Sequence, residues 1–155
     1  MEAVYRLTFA ILGDEADARD AAQDTFVTAW RRIGGLRDME RFDAWLQRVA
    51  VNAARMTHRA RRRRGVREIS SSRVLGVADL PATASPAEAD ATVLDAAMKR
   101  LSIDQRSMLV LHHLEGRPVA DLAEILEIPV GTVKSRLHAA RQALQAAIDA
   151  EGRDR

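Results

Sequence analysis

A stripe of polar side chains runs along residues 48–62 at alternating three- and four-residue steps, which places its members on one face of a helix. The stripe consists of Arg48, Asn52, Arg55, Arg59 and Arg62. Guanidinium groups spaced in this way can hold the phosphates of a nucleic acid, and the amide of Asn52 can hydrogen-bond a base. An exposed basic helix end, stabilised by the helix dipole, is the alternative. The length of the stripe favours nucleic acid.

A second set of polar side chains lies in the stretch 119–147, where two amphipathic helices are predicted on either side of a break at 127–129. Pro129 ends the first helix and pre-sets φ for the second. The polar side chains of the second helix and its start are Thr132, Lys134, Ser135, Arg136, His138, Arg141 and Gln142. This layout predicts a helix-turn-helix, whose second helix enters the major groove of DNA. The pattern is equally compatible with a plain helical hairpin in a bundle.

An acidic face is predicted on the helix that precedes the basic stripe. It consists of Asp17, Asp20, Gln23 and Asp24. The ordinary interpretation is a solvated surface near a helix N-terminus, where negative charge is favourable.

Residue types that carry out catalysis are poorly represented. The chain has no cysteine, no Ser-His-Asp arrangement and no phosphate-binding glycine loop. His112 and His113 are adjacent, so on a helix they point about 100° apart and cannot share one ion well. We therefore expect no enzymatic activity, no metal and no cofactor. Since no apolar run has the length of a membrane span and no signal peptide opens the chain, the expected compartment is the cytoplasm.

The elements that must position these side chains are predicted to be helices. Ala, Leu and Arg dominate, and all six aromatic residues lie in the first 45 residues. This asymmetry predicts an all-α protein of two small domains with different cores, covering residues 1–64 and 94–150 and joined by a flexible linker at 65–93. The second domain has no ring on which an unpaired base could stack, so it should bind duplex if it binds nucleic acid.

Charge is distributed unevenly over a chain whose net charge is only +2. Residues 1–64 hold 13 arginines against nine acidic residues, whereas residues 94–150 are close to neutral. Of the 24 basic residues, 22 are arginine, which prefers planar, bidentate contacts with phosphates and bases. A GC-rich genome would produce the same bias.

Periodicity predicts the buried faces of the first domain. A helix over 4–12 ends at Gly13, and Asp14 N-caps a helix that runs to about Ile33. The apolar stripe of that second helix is Ala18, Ala22, Phe26, Trp30 and Ile33. After a loop at 34–41, the stripe of the long helix that starts at Phe42 is Phe42, Trp45, Leu46, Val49, Ala53, Met56 and Ala60.

The second domain is predicted to begin with a helix near Ala87, followed by a capping box at Ser102 and Gln105. The buried positions of these helices are Leu94, Met98, Leu101, Met108, Leu111 and Leu114. Gly116 ends the second of them, and Pro118 starts the helix pair described above.

Two separated stretches together resemble one family. D-A-R-D-A-A-Q-D-T-F-V-T-A-W at 17–30 and R-F-D-A-W-L-Q-R-V-A-V-N-A-A-R at 41–55 resemble region two of bacterial sigma factors. L-S-I-D-Q-R-S-M-L-V-L at 101–111 and E-G-R-P-V-A-D-L-A-E-I-L-E-I-P-V-G-T-V-K-S-R-L-H-A-A-R at 115–141 resemble region four. Two such regions joined by a short linker are the layout of the extracytoplasmic-function group of the sigma-70 family.

The resemblance implies a role for each polar set. The acidic face would dock on the beta-prime clamp of core RNA polymerase, with a further contact between region four and the beta flap. The 34–41 loop, with Arg37, would hold a base flipped out of the promoter minus-ten element, and the basic stripe would hold that strand. The polar residues of the helix-turn-helix would contact the minus-thirty-five duplex. An anti-sigma factor is the implied regulatory partner.

The sequence departs from the family pattern at several positions. Arg19 stands where an acidic residue is usual, and Pro118 replaces a Ser or Thr cap. Glu127 replaces a usual Gly, which predicts a less relaxed turn, and Ala139 stands where an Arg often contacts DNA. A stand-alone helix-turn-helix regulator would leave residues 1–64 unexplained, and an interaction module without DNA binding is a third alternative.

Overall fold

The computed structural model describes residues 1–69 and 86–153, and only the backbone at 66–69 and 86–89. Every regular element in these ranges is helical, as predicted. The α-helices are α1 (Glu2–Leu12), α2 (Glu15–Arg32), α3 (Phe42–Ile69), α4 (Pro86–Arg100), α5 (Ile103–Leu109), α6 (Val119–Leu126) and α7 (Val130–Arg153). Helices α1–α3 form the first domain and α4–α7 the second.

The junction between α1 and α2 is built by two adjacent residues. Gly13 adopts a left-handed conformation with φ of 67° and ends α1, and the side chain of Asp14 accepts a hydrogen bond from the amide of Asp17. Both are the conformations expected of a glycine C-cap and an aspartate N-cap. Thr8 reinforces the junction, because its buried hydroxyl donates to the carbonyl of Ala18 at 3.0 Å.

Helices α2 and α3 contribute mainly small side chains to the core of the first domain, and the predicted stripes were wrong at Trp30, Ile33 and Met56. Trp30 is 85% exposed, and Ile33 and Met56 are also exposed. Instead α2 and α3 bury the residues Ala18, Ala21, Ala22, Thr25, Ala29, Ala50, Val51, Ala53, Ala54 and Thr57. Alanine faces let helix axes approach closely, so the large apolar side chains flanking them are left outside the contact.

The segment between the domains is only partly described. Helix α3 continues through Gly65 to Ile69, and α4 begins at Pro86. The central part of the predicted linker, residues 70–85, lies outside the described residues.

The first helices of the second domain follow their predicted caps. Ser102 and Gln105 form the capping box, each accepting a hydrogen bond from the backbone amide of the other. The end of α5 winds into a π-helical turn at Val110–Leu114. That extra residue per turn rotates Leu114 out of the apolar stripe, so Leu114 is exposed, contrary to prediction. Leu94 is also exposed, whereas Leu101 and Met108 are buried as predicted.

Helices α6 and α7 form the predicted helix-turn-helix. Pro118 precedes α6, and Glu127 ends it in a left-handed conformation with φ of 55°. Such a φ is disfavoured for a residue with a Cβ, which agrees with the expectation of a less relaxed turn. Val133 and Leu137 of α7 are buried.

The two domains pack on each other through one cluster of buried apolar residues. Arg106 of α5 is only 7% exposed and spans the junction. Its Nη1 donates to the carbonyls of Ile11 at 3.1 Å and of Leu12 at 3.4 Å, at the end of α1. These carbonyls lack helical partners and carry the negative end of the helix dipole, so a cation is favourable there. No described helix is both long and apolar enough to cross a membrane.

Candidate nucleic-acid interface

The predicted stripe lies on one side of α3, and its amino-terminal part, Arg48 to Arg55, faces the second domain. Arg48 and Arg55 are about one-third and one-quarter exposed, while Asn52 between them is open to solvent. The Nη1 of Arg55 lies 3.4 Å from the Oδ1 of Asn52. This contact holds the amide beside the guanidinium, as a combined base and phosphate contact would require.

Carboxylates of the second domain contact the stripe. Arg48 Nη1 lies 3.3 Å from Glu127 Oε1, and Arg55 Nε donates to Asp104 Oδ1 at 2.8 Å. Arg41, seven residues before Arg48, contacts Glu124 at 3.3 Å. The sequence had not placed Arg41 in the stripe. Arg41 lies in the 3-10 turn directly before α3, and its seven-residue interval to Arg48, which is close to two helical turns, is the signal that could have identified it.

A hydrogen-bond relay through the neutral amide of Gln47 joins the domains beside these ion pairs. The amide of Gln47 donates to Glu115 at 3.1 Å and accepts from Arg117 Nε at 2.8 Å. Gln47 was not predicted as a functional residue, because one glutamine on a polar helix carries no sequence signal.

The carboxy-terminal part of the stripe lines a polar groove together with the acidic face. Arg59 is exposed and lines this groove of about 650 Å³ together with Asp20, Gln23 and Asp24 of α2. Arg62 is also exposed, but it borders a different pocket, on the side of His58 and Arg106. The groove therefore presents anionic and cationic walls to solvent side by side.

Asp17 differs from the other three members of the acidic face. Its side chain is only 15% exposed, and its Oδ2 lies 2.6 Å from Arg61 Nη1. Arg61 also contacts Asp14 at 3.2 Å. The amide of Asp17, and then Arg61, lower the pKa of the Asp14 carboxyl. Asp17 is thus tied into the N-cap of α2, while Asp20, Gln23 and Asp24 stay open.

The polar residues of α7 divide into a central face and two flanks. At about 100° per residue, Lys134, Ser135 and His138 point away from the buried stripe, and all three are exposed. Thr132 is half-buried, and its carbonyl accepts from the Ser135 hydroxyl at 3.1 Å. These side chains form one continuous surface at the start of α7, where a recognition helix presents its contacts.

Arg136 and Arg141 lie on opposite flanks of α7. Arg136 lines a pocket with Arg55 and Asp104, next to the first domain. Arg141 Nε lies 3.2 Å from His113 Nε2. Burial, and then the positive charge of Arg141, lower the pKa of His113. The neutral imidazole can therefore accept the hydrogen bond from Arg141.

Arg37 is exposed, on the segment between two short 3-10 turns at Ile33–Gly35 and Met39–Arg41. These turns occupy the segment predicted as a loop. Asp38 caps the second turn by accepting from the amide of Glu40 at 3.0 Å. The segment thus places Arg37 shortly before the amino-terminal end of α3.

The adjacent histidines have structural partners. His112 Nδ1 lies 2.8 Å from the carbonyl of Arg117, and His113 contacts Arg141. Among the described residues no group of three or more His, Cys, Asp or Glu side chains could hold a metal ion.

Comparison with known families agrees with this division of the chain. The family model described as Sigma-70 region 2 matches residues 1–64, and the model described as Sigma-70, region 4 matches residues 91–144. The region 2 match includes the acidic face and all but the last turns of α3. The region 4 match includes the capping box and the helix-turn-helix.

Similar whole proteins align with most of the chain. The chain is 31% identical to the RNA polymerase sigma-H factor of Pseudomonas aeruginosa over 154 residues, covering 94% of this chain and 80% of that protein. It is 34% identical to the ECF RNA polymerase sigma factor SigM of Mycobacterium tuberculosis over 141 residues, covering 91% and 69%. It is 32% identical to the ECF RNA polymerase sigma-E factor of Haemophilus influenzae over 139 residues, covering 83% and 73%.

Solved structures share the fold. The sigma factor RpoE of Bartonella quintana, in complex with the anti-sigma factor NepR, superposes with a TM-score of 0.72 at 27% identity, covering 96% of this chain and 91% of that one. The structure of CnrH in complex with the cytosolic domain of CnrY gives a TM-score of 0.64 at 28% identity, covering 96% and 81%. The chain belongs to the sigma-70 family of RNA polymerase sigma factors, in its extracytoplasmic-function group.

Proposed function

We propose that this chain binds core RNA polymerase, directs it to specific promoters and starts transcription there. The observation that carries the proposal is the presence of both family regions in one chain, each with an exposed polar surface. The chain supplies recognition and strand holding, and the catalytic step stays with the polymerase. It would act in the cytoplasm, where bacterial core enzyme and promoter DNA are found.

The polymerase would dock on α2. Asp20, Gln23 and Asp24 are exposed on one face, and none of them has an ion-pair partner among the described residues. A cationic partner surface can therefore approach them without first displacing an internal pair. We place the beta-prime clamp here. The contact of the second domain with the beta flap rests on the family alone.

The separated minus-ten strand would lie along the stripe on α3. Arg48, Arg55, Arg59 and Arg62 offer guanidinium groups over four helical turns, and Asn52 offers the one amide of the predicted set. Extruding a base costs a few kcal/mol of stacking, and the arginine–phosphate contacts of the opened strand offset part of that cost. Arg37, on the segment before α3, would contact the flipped base.

The minus-thirty-five duplex would be read by α7. Lys134, Ser135 and His138 form the central surface, with Thr132 at its start and Arg136 and Arg141 on the flanks. The absence of aromatic residues from the second domain suits duplex rather than single-strand binding.

We also propose an anti-sigma factor as the regulatory partner, because the RpoE structure is a complex with the anti-sigma factor NepR and the CnrH structure is likewise a complex, with the cytosolic domain of CnrY. Each of the two structural alignments covers 96% of this chain. A partner that binds both domains at once could exclude polymerase and DNA together.

The test is run-off transcription from genomic fragments with purified chain and core polymerase. The expected result is a small set of discrete transcripts that require the chain. A second assay measures binding to core enzyme without DNA. Failure to bind core would exclude the proposal, and tight duplex binding without polymerase would favour a stand-alone regulator instead.

A further inference from the structure

Arg141, on one flank of α7, is held by a side chain from another element of the second domain. Its Nε donates to Nε2 of His113 at 3.2 Å, and His113 lies in the π-helical turn that ends α5. The two residues are 28 apart in sequence, so the contact depends on how α7 packs on that turn. It therefore links the helix assigned to duplex DNA with the body of its own domain.

The acceptor of this hydrogen bond is a neutral group. Imidazole accepts at Nε2 only when that nitrogen carries no proton, and burial, followed by the positive charges of Arg141 and His112, lowers the pKa of His113. Arg117, by contrast, contacts the carboxylate of Asp121 at 3.6 Å. A carboxylate beside Arg141 would oppose its charge and repel a phosphate, whereas a neutral imidazole fixes the guanidinium and leaves its charge in place.

The other charged groups near His113 have partners of their own. The groove beside His113 is also lined by Asp95, Lys99 and Arg106. Asp95 and Lys99 form an ion pair at 2.6 Å, and Arg106 donates to carbonyls of α1. Within the part of the chain that the structure describes, Arg141 contacts no carboxylate, and His113 is its one hydrogen-bond partner.

The hydrogen bond leaves one edge of the Arg141 guanidinium available. Arg141 follows Lys134 by seven residues, which is close to two helical turns, so both side chains project from nearly the same line along α7. Lys134 belongs to the central surface assigned to the minus-thirty-five duplex. With Nε bonded to His113, the terminal nitrogens Nη1 and Nη2 can both donate to a single phosphate.

We propose that His113 is a positioning residue for Arg141, holding its guanidinium in place for a backbone phosphate beside the minus-thirty-five element. This inference rests on the proposed function, which places duplex DNA on α7. An unrestrained arginine side chain loses much rotamer freedom when it binds a phosphate. A side chain that is already held in place loses less, so the complex is tighter. His113 thus raises affinity for DNA by acting through Arg141.

The first experiment observes the pair in the full chain, without DNA or polymerase. NMR measures how fast the Nε proton of Arg141 exchanges with water. Exchange should be faster in His113→Leu, which has no acceptor, and should slow again in His113→Gln, whose side-chain oxygen can accept in place of Nε2. His113 is exposed, so both variants should keep their helices, as circular dichroism will check. Equal exchange in the wild type and His113→Leu would overturn the inference.

The second experiment measures the affinity of holoenzyme, assembled from core polymerase and the full chain, for a duplex carrying the upstream element of a promoter mapped by run-off transcription. Arg141→Gln removes a phosphate contact and should lower the slope of log affinity against log salt by about one. His113→Leu should weaken binding about threefold but keep the wild-type slope, because the charge of Arg141 remains. His113→Gln should recover most of the affinity.

Double-mutant cycles on the same duplex supply the control. His113→Leu should cost nothing further in an Arg141→Gln chain, whereas its effect should add to that of Arg136→Gln on the opposite flank of α7. Additive effects of the His113 and Arg141 changes would overturn the positioning role. Unchanged affinity and slope in Arg141→Gln would also overturn it, while specific binding by the wild-type holoenzyme would uphold the proposed function. No binding by that holoenzyme would overturn both.

Discussion

Arg106 of α5 and Ile11 of α1 are joined by a hydrogen bond of 3.1 Å across a separation of 95 residues. The guanidinium has no carboxylate within ion-pair distance among the described residues, and burial lowers its pKa. The negative end of the α1 helix dipole compensates the buried positive charge of Arg106. The bond thus links α1, the first helix of the first domain, to α5 of the second domain.

Replacing Arg106 with Met should lower the free energy of unfolding by about 1.5–3 kcal/mol, the usual worth of hydrogen bonds to a charged group. Methionine keeps most of the volume but leaves the carbonyls of Ile11 and Leu12 without a donor. Urea unfolding with an unchanged slope is the measurement. A methionine variant as stable as the wild type would show that water replaces the guanidinium without loss.

Glu127→Gly should make the chain more stable than Glu127→Gln by about 0.5–1 kcal/mol. Both variants remove the pair with Arg48, so their difference isolates the backbone. Glycine avoids the cost of about 1–2 kcal/mol that a residue with a Cβ has in the left-handed conformation. It also increases the conformational entropy of the unfolded chain, which opposes that gain. Chemical denaturation of the two variants measures the balance, and equal stabilities would mean that the turn is not strained at Glu127.

Asp24→Arg and Lys134→Ala should affect different partners. Reversing the exposed charge on α2 should weaken binding to core polymerase about tenfold and leave upstream duplex recognition unchanged. Removing the amine on α7 should do the opposite, weakening promoter binding several-fold at constant core affinity. Titration with labelled core enzyme and footprinting of the upstream element separate the two. If Asp24→Arg left core affinity unaltered, the docking surface would lie elsewhere.

His58 should make stability depend on pH. Burial lowers its pKa, as do Arg106, Arg62 and Arg61, while Asp17 opposes them. The folded chain therefore binds fewer protons than the unfolded chain just below the ordinary value of 6.5. Its stabilising contribution is fully present above that pH and is lost as the pH falls below it. Urea midpoints at about pH 7.5 and 5.5 should differ less in His58→Gln than in the wild type.

Trp30→Gln should change the free energy of unfolding by less than about 0.5 kcal/mol, as is usual for exposed positions. Val51→Ala is the contrasting change, because Val51 is fully buried and should cost about 1 kcal/mol or more. Thermal denaturation followed by circular dichroism compares them. A large loss of stability in Trp30→Gln would show that this tryptophan packs in the core.

The sequence predicted the helices well, because their ends are marked by local chemistry. Gly13 and Asp14 separate α1 from α2, and Ser102 with Gln105 opens α5. The buried faces were less predictable, since periodicity gives weight to large apolar residues. In α2 and α3 the closest packing is made by alanines, and Trp30 and Met56 are left outside.

The positions of the candidate-site residues could be predicted in part. The stripe on α3 and the central surface of α7 follow from helical spacing, so both could be written down from residue positions. The ion pairs between the domains could not, because the partners of Arg48 and Arg55 are set by how two domains pack. Arg106 escaped notice for the same reason, since its partners are backbone carbonyls that any residue would provide.

Both tryptophans of the chain belong to the first domain, and they stand in opposite surroundings. Trp30 is open to water, whereas Trp45 lies in a groove lined by Arg41, Arg48 and, from the second domain, Glu124. Separation of the domains changes the neighbours of Trp45 and leaves those of Trp30 as they are. The indole emission of a Trp30→Phe chain, and its access to a soluble quencher, therefore reports domain movement optically and without any attached label.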